Sequence, residues 1–260
     1  MLQSCTQIKT RNFIFQSCAG LGKESMNIAK LVTITPDAER HIAYCARVSS
    51  PNQENPEITR LLKYCISHKH WSIFEMAHMV IEIKTSRAIA AQILRHKSFS
   101  FQEFSMRYAP VQSEPPQVIG MQRLSGSHNR QSSLPLPEWE ELTDQQQLVL
   151  IRADEVVKSA FTVYNDLLQS GFATETARMI LPLATPTRMY MAGNIRDWLH
   201  YVDLRTQDDT QYEHRQIAND IKLIIEEQLP TIYAAMWNTN KPTYDIVKDI
   251  DGDDQTDISK

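Results

Sequence analysis

The stretch HMVIEIKTSRAIAAQILRHKSFSFQEFSMRY, residues 78–108, decides the fold because it changes from a strand pattern to a helix pattern at a single serine. Its first eight residues predict a strand, with apolar side chains at every second position from Met79 to Ile83. Ser86 follows as a good helix N-cap residue. Ile89 and Ile93 stand four positions apart and therefore share one face of a helix. The stretch predicts a strand, a capped turn and a helix that runs directly into Arg95-His96-Lys97.

Outward from this stretch, strand and helix signals alternate without any internal repeat. The segment 110–140 is rich in Pro, Ser, Gln and Gly, and it predicts a long excursion between two structured halves. We therefore predict a helix-rich mixed α/β fold with a small sheet and long helices. The other predicted elements are a strand over 30–35, a helix capped by Thr35 with Pro36 at its first position, a helix opened by Asn55-Pro56-Glu57, a long helix over 143–170 stopped by Gly171, a short helix capped by Thr174 and ended by Pro182, a strand over 185–191, a helix capped by Asn194, and a long helix that stops before Pro230.

The chain of 260 residues predicts one catalytic domain over 29–240, between an ill-ordered lead-in, 1–28, and an acidic, disordered tail, 241–260. Its 42% apolar residues are ordinary for a soluble globular protein, and its net charge of -4 argues against broad nucleic-acid binding. No apolar run reaches the ~20 residues of a membrane span. The four cysteines form no disulfide or zinc pattern, so we expect reduced thiols and a cytoplasmic location.

Three histidines lie close together in the chain without forming a metal-binding motif. His68, His70 and His78 match no recognisable ligand set, and we interpret them as ordinary hydrogen-bonding residues. We therefore predict no metal site.

A local basic site is predicted where the quoted helix ends. Five Lys or Arg residues fall from Lys84 to Arg107 on a chain that is acidic overall. The arginine side chain suits bidentate recognition of phosphates and planar carbonyl groups. A solvated cationic helix end, favoured by the helix dipole, produces the same pattern. The cluster alone leaves both interpretations open.

A second group of basic residues lies further along the chain. It begins with Arg178-Met-Ile-Leu-Pro182 and continues in the helix capped by Asn194. Arg196 and His200 stand four positions apart there and share one helix face. Arg205 falls near the C-terminal end of that helix, where the dipole favours a cation. Taken alone, these residues also fit ordinary surface charges.

Together the two groups resemble the flavin-dependent thymidylate synthase family over roughly residues 31–229. The family signature is Arg-His-Arg, seven residues and then Ser; this chain has Arg95-His96-Lys97, residues 98–104 and then Ser105. A three-residue motif is a weak signal, but several blocks in order at compatible spacing are specific. The further blocks are Ala46-Arg47-Val48-Ser49, His70-x-Ser72-x-Phe74-Glu75, Ser105-x-Arg107-Tyr108, Ala177-Arg178-x-x-Leu181-Pro182 and Asn194-x-Arg196 to Leu204-Arg205.

The resemblance implies conversion of dUMP to dTMP with FAD, with 5,10-methylenetetrahydrofolate and NADPH as co-substrates. The implied catalytic residue is Arg205, which would contact the pyrimidine and favour its N3-ionised form. The implied cofactor-binding residues are Ser49, Ser72, Arg95, His96, Lys97, Glu103, Asn194, Arg196 and His200. The implied substrate-binding residues are Gln92, Arg95, Glu103, Ser105, Met106, Arg107, Arg178 and Arg205, with His70 on the nicotinamide or folate side.

The resemblance also implies a homotetramer with its active sites between subunits. The predicted helix over 143–170 suits such an interface, although a helix that packs into its own core has the same pattern. Lys97 departs from the family, which has arginine there; the charge is kept but the planar fork is lost.

Chemistry without a protein nucleophile agrees with the cysteine positions. None of the four cysteines has a histidine or an arginine-rich block as its neighbour in sequence. Reduced flavin supplies a hydride directly, so the expected task of the protein is positioning and electrostatics. Two alternatives remain at this point: a non-enzymatic nucleotide-binding protein, and an enzyme of the same fold with another uracil acceptor.

Overall fold

A four-stranded antiparallel sheet organises the chain. The computed structural model describes residues 27–116, 123–124, 133–134 and 136–238; nearly all of the predicted lead-in, and the predicted tail, lie outside the described residues. The strands are β1 (Ile28–Ile34), β2 (His78–Ser86), β3 (Ser100–Glu103), β4 (Arg123–Leu124), β5 (Ser133–Leu134) and β6 (Pro186–Asn194). The helices are α1 (Ala38–Ala46), α2 (Thr59–Ser67), α3 (Arg87–Ile93), α4 (Asp144–Gln169), α5 (Thr174–Ala177), α6 (Ile195–Arg205), α7 (Tyr212–Gln228) and α8 (Pro230–Trp237), with 3₁₀ turns at Trp71–Met76, Trp139–Glu141 and Arg178–Ile180.

The main sheet has the order β1-β2-β6-β3, and every neighbouring pair is antiparallel. Strand β2 buries one face through Met79, Ile81 and Ile83, as its alternating sequence predicts. Ile81 lies opposite Met191 of β6, whose side chain is also fully buried. Helix-rich mixed α/β architecture with a small sheet is therefore confirmed. Strands β4 and β5 form a separate two-residue ladder.

The core lies between this sheet and helices α6 and α7. The apolar face predicted for α6 is buried: Ile195, Trp198, Leu199 and Val202 are all inaccessible to solvent. Trp198 also donates its indole N–H to the Met79 carbonyl over 3.0 Å, which satisfies its buried polar atom. None of the helices in the described ranges combines the length and the apolarity needed to cross a bilayer.

Two predicted caps, at Ser86 and Asn194, are confirmed, and the structure shows a third at Thr143. The Ser86 hydroxyl accepts the Ile89 N–H, and the Asn194 side chain accepts the Asp197 N–H. Thr143 forms a reciprocal capping box with Gln146 at the start of α4. Each cap satisfies a backbone N–H in the first turn of its helix, which would otherwise lack a partner within the helix.

Other predicted boundaries were wrong because tertiary contacts use the same residues differently. Thr35 does not cap a helix; its hydroxyl lies 2.9 Å from the backbone N of His78, and α1 begins only after Asp37. The helix predicted from Asn55 begins later, at Thr59. Thr174 is the first residue of α5 rather than its cap. Pro230 does end α7, but it also opens α8, whose Ile232 N–H is accepted by Glu39 of α1 over 2.8 Å.

Candidate active site

The basic triplet, Arg95-His96-Lys97, lies in the turn that connects α3 to β3. Backbone hydrogen bonds shape this turn: the His96 N–H donates to the Ile93 carbonyl over 3.0 Å, and the Phe99 N–H to the His96 carbonyl over 3.2 Å. Arg95 and Lys97 are exposed, and neither has an ion pair among the described residues. Two cations that have no carboxylate partner in the described part of the chain therefore flank a partly buried imidazole.

Helix α6 brings the second block to the first. Its apolar residues fix the helix against the sheet, and Arg205 is its last residue. The Nε–H of Arg205 donates to Nε2 of His96 over 3.0 Å. These residues are 109 positions apart, so the fold unites two blocks that the sequence separates.

The Arg205 contact also defines the state of His96. Burial, followed by the charges of Arg205 and Arg95, lowers the pKa of His96 from 6.5 to about 4. The ring is therefore neutral at neutral pH. Because Nε2 accepts the Arg205 hydrogen bond, the ring proton lies on Nδ1, which is left as a donor.

Beneath His96 runs a chain of hydrogen bonds. The Tyr201 hydroxyl lies 2.9 Å from Nε2 of His214, and Nδ1 of His214 lies 3.4 Å from Oε1 of Gln92. The amide nitrogen of Gln92 in turn donates to Oε1 of Gln211 over 2.6 Å. Tyr201 and His214 are buried, and the Tyr201 ring meets the His96 ring edge-on at 4.9 Å between centroids.

Glu103 occupies the end of β3, where two donors hold one of its oxygens. Arg87 contacts Oε1 at 2.5 Å, and the Thr187 hydroxyl donates to the same atom over 3.0 Å. Arg87 is the first residue of α3, where the positive end of the helix dipole disfavours a cation. The carboxylate of Glu103 offsets that cost.

A cavity of about 250 Å³ lies beside this pair and contains two of the predicted substrate-binding residues, Met106 and Arg178. Its lining consists of Arg87, Met106, Arg178, Met179, Leu181, Pro182 and Leu183. Apart from two arginines its lining residues are apolar, and among the described residues only one of these arginines, Arg87, is paired with a carboxylate. Ser105 and Arg107 are exposed nearby in sequence, and Arg107 makes a loose contact with Glu175 at 3.9 Å.

Another set of predicted residues gathers where α6 packs against the 3₁₀ turn Trp71–Met76. Arg196 pairs with Glu75 of that turn. The rings of His200 and Trp71 meet edge-on at 4.7 Å. His70 and Ser72, on either side of Trp71, are exposed.

Ser49 is the predicted site residue that is least connected to the others. It is exposed in the loop after α1, and no contact joins it to another predicted site residue in the described ranges. Arg47 shapes this loop, since its guanidinium donates to the Asn55 and Glu57 carbonyls.

Sequence reasoning missed several partners of the predicted residues, because they lie far away along the chain. The missed partners are Trp71, Arg87, Thr187, Tyr201, Gln211 and His214. Arg87 alone had a local signal, because a cation in the first turn of a helix indicates an acidic partner.

Comparison with known proteins shows the family to which the chain belongs. The "Thymidylate synthase complementing protein" family model matches residues 30–231. A "Probable flavin-dependent thymidylate synthase" of Paramecium bursaria Chlorella virus 1 is 48% identical over 218 residues, covering 80% of this chain and 98% of the viral protein. A "Flavin-dependent thymidylate synthase" of Synechocystis sp. is 48% identical over 196 residues, covering 75% of this chain and 87% of the relative.

Solved structures share the same fold. The UMP/dUMP methylase PolB from Streptomyces cacaoi, bound with 5-Br dUMP, superposes with a TM-score of 0.68 at 24% identity, over 81% of this chain and 94% of its own. The same methylase bound with 5-Br UMP gives a TM-score of 0.68 at 26% identity, over 82% and 94%. The fold and the family match together define an enzyme of the methyltransferase type. The chain belongs to the flavin-dependent thymidylate synthase family.

Proposed function

We propose that this protein converts dUMP to dTMP by reductive methylation. FAD is the hydride carrier, 5,10-methylenetetrahydrofolate the carbon donor and NADPH the reductant. The single observation that supports this assignment most is the 3.0 Å contact between Arg205 and His96. It joins the block expected at the pyrimidine to the block expected at the flavin.

The residues present fit an anionic flavin cofactor. Arg95 and Lys97 are exposed cations without a carboxylate partner among the described residues, and such groups suit a diphosphate or an electron-rich ring. When bound, FAD supplies the hydride that completes the methyl group. Neutral His96 donates a hydrogen bond from Nδ1 toward an acceptor atom of a ligand. The other residues proposed to hold the cofactor are Ser49, Ser72, Glu103, Asn194, Arg196 and His200.

The cavity beside Glu103 suits a nucleoside monophosphate. Arg178 offers it a guanidinium that has no carboxylate partner among the described residues, and Met106 supplies an apolar wall. Arg205 stabilises negative charge on the uracil ring and so favours attack by C5. The other residues proposed to contact dUMP are Gln92, Arg95, Glu103, Ser105 and Arg107, while His70 lies on the folate or nicotinamide side.

A thiol nucleophile is not part of this proposal. Burial raises the pKa of the Cys65 thiol and so disfavours its thiolate. Cys45 has no histidine beside it in the sequence, but in the fold its Sγ lies 3.8 Å from Nε2 of His41. That pair is on α1 and is separate from the residues around Arg205.

A homotetramer is part of the proposal, and α4 supports it. Only Phe161 and Tyr164 of this 26-residue helix are buried. Val149, Val156 and Val163 are exposed at seven-residue spacing, which places an apolar stripe along one side. A second copy of the chain would cover this stripe. We also propose a cytoplasmic location, with which the free thiols of Cys45 and Cys65 agree.

Two measurements test the proposed function. The absorbance spectrum of the purified protein should show flavin bands, before or after addition of FAD. Anaerobic assays with methylene-folate and NADPH should then form dTMP and release tritium from C5-labelled dUMP. UMP serves as the competing acceptor in a parallel assay. A colourless protein that takes up no FAD would reject the enzyme assignment, whereas turnover of UMP alone would redirect it to another acceptor.

A further inference from the structure

The hydrogen-bond chain beneath His96 has a direction, and the Tyr201 hydroxyl sets it. Tyr201 is 2% exposed, and among the described residues its hydroxyl forms a hydrogen bond only with His214. Burial raises the pKa of Tyr201, so the hydroxyl keeps its proton. It must therefore donate to Nε2 of His214.

That donation fixes the next two links. Because Nε2 of His214 accepts, the proton of the neutral imidazole lies on Nδ1. The Nδ1–H group is therefore a donor directed at Gln92. Nδ1 lies 3.4 Å from the amide oxygen of Gln92, which is thus the accepting end. The amide nitrogen is then committed to Gln211, whose oxygen accepts over 2.6 Å. The opposite direction would leave the buried hydroxyl without an acceptor, at a cost that proteins avoid.

We propose that Tyr201 and His214 are positioning residues that hold the Gln92 side-chain amide in one of its two orientations for nucleotide binding. The proposal rests on the proposed function, because it gives Gln92 a role toward dUMP. An amide nitrogen has two N–H groups and an amide oxygen has two lone pairs. The amide nitrogen of Gln92 therefore keeps one free N–H for a ligand, and the amide oxygen keeps one free lone pair. The hydrogen bonds from Tyr201 through His214 determine which of the two ends is the nitrogen.

Two substitutions of His214 separate positioning from simple packing. In asparagine the amide nitrogen is as many bonds from Cα as Nδ1 of histidine is, so His214→Asn keeps the donor toward Gln92 and loses the acceptor for Tyr201. In glutamine the terminal amide stands at the position of Nε2. His214→Gln therefore keeps the acceptor for Tyr201 and loses the donor toward Gln92.

The two variants should rank in opposite order for melting temperature and for KM. His214→Asn leaves a buried hydroxyl unsatisfied, and its melting temperature should fall by about 2–4 °C more than that of His214→Gln. His214→Gln should nevertheless show the larger rise in KM for dUMP, on the order of 10-fold, with kcat within about 3-fold. Asparagine keeps the donor but is no longer oriented by Tyr201, so its rise in KM should be smaller than that of His214→Gln and similar to that of Tyr201→Phe.

Tyr201→Phe provides a second variant that keeps the ring against His96 and removes only the hydroxyl. It should raise KM for dUMP while leaving FAD content and kcat unchanged. FAD content, read from flavin absorbance, reports folding in every variant.

The outcomes separate this proposal from the one it rests on. Wild-type protein that neither binds nor turns over dUMP would reject the proposed function and this inference together. Wild-type turnover with KM values that follow the melting temperatures, or with a wild-type KM in His214→Gln and Tyr201→Phe, would reject the positioning role alone.

Discussion

The ring of Phe99 lies so close to Gly193 that no side chain fits between them. A Cβ atom at position 193 would stand 2.5 Å from Cδ1 of Phe99, well inside van der Waals contact. Gly193 belongs to β6, whereas Phe99 belongs to the turn that carries the basic triplet. The Phe99 ring also meets Trp198 edge-on at 4.7 Å. The close approach of Phe99 to Gly193 sets the distance between the sheet and the turn that carries Arg95-His96-Lys97.

Gly193→Ala should therefore disturb the flavin site from a distance. The added methyl group forces Phe99 to move, and overpacking of this kind costs about 1–3 kcal/mol of folding free energy. Because the Phe99 N–H bonds to the His96 carbonyl, displacement of the ring moves the triplet as well. Denaturant unfolding should show the loss of stability, and titration with FAD should show weaker binding.

Gly171→Ala is the matched control. Gly171 has a φ of 82° after α4, and apart from its two chain neighbours no described residue has a heavy atom within 4 Å of the position of its Cβ. Alanine there should cost about 1 kcal/mol through backbone strain alone and leave FAD affinity unchanged. An equal loss of FAD affinity in both variants would contradict the argument from Phe99.

Acidification should destabilise the protein, since two histidines are held neutral. The pKa of His96 is lowered to about 4, and burial, followed by the charges of Arg205 and His96, lowers that of His214 to about 3. The unfolded chain takes up these protons near pH 6.5, before the folded chain does. Their contribution to stability is therefore complete above about pH 6.5 and is lost as the pH falls toward 4. Each histidine adds at most about 1.4 kcal/mol per pH unit to the slope.

His214→Asn isolates one of these groups, because asparagine does not titrate. Burial raises the pKa of Asp197 and of Asp220, which gives a slope of the opposite sign at lower pH. Both aspartates are present in wild type and variant and cancel in the comparison. Unfolding free energies measured from pH 7 to pH 4 should fall less steeply in the variant. Parallel curves would show that His214 takes up its proton in the folded state at its ordinary pKa.

Sequence reasoning predicted the elements whose signals are local. The hydroxyl of Ser86 and the amide of Asn194 act within one helical turn, so a few consecutive residues are enough to identify each of them. The alternation in β2 and the apolar face of α6 were equally visible, because burial imposes a period on the sequence. The sequence also assigned His96 and Arg205 to one site through the family resemblance.

Contacts between distant residues could not be predicted in this way. Thr35 was expected to cap a helix. Its hydroxyl instead accepts the N–H of His78, which lies 43 positions further along the chain. The short strand β3 was missed because its four residues form only two periods of alternation. Gln92 and His214 are 122 positions apart, and no local pattern indicates their hydrogen bond.

Lys97→Arg should tighten FAD binding or leave it unchanged. Lys97 is exposed and has no ion pair in the described part of the chain, so a guanidinium would displace no existing partner. Arginine adds a planar fork of donors at the same charge. Equilibrium titration with FAD measures the change, and Lys97→Gln provides the uncharged comparison. A marked loss of affinity in the arginine variant would mean that the pocket is built around lysine.

Arg205→Ala should abolish most of the turnover while the protein keeps its flavin. If Arg205 stabilises charge that develops on the uracil ring, its contribution is largest in the transition state. Loss of one such electrostatic group lowers kcat by about two orders of magnitude, or on the order of 3 kcal/mol. The variant also removes the hydrogen bond to His96 and one of the charges that lower its pKa.

Arg178→Ala provides the contrast that tests the role of Arg205. Arg178 lines the cavity beside Glu103, and outside that cavity its guanidinium donates only to the Glu175 carbonyl among the described residues, over 3.3 Å. Its loss should weaken dUMP binding, and so raise KM before it lowers kcat. Rates of dTMP formation at saturating and subsaturating dUMP separate the two effects. Full activity of Arg205→Ala alone would leave the family assignment intact and move the activating role to another residue. A large loss of bound FAD in Arg205→Ala would instead place this arginine at the cofactor.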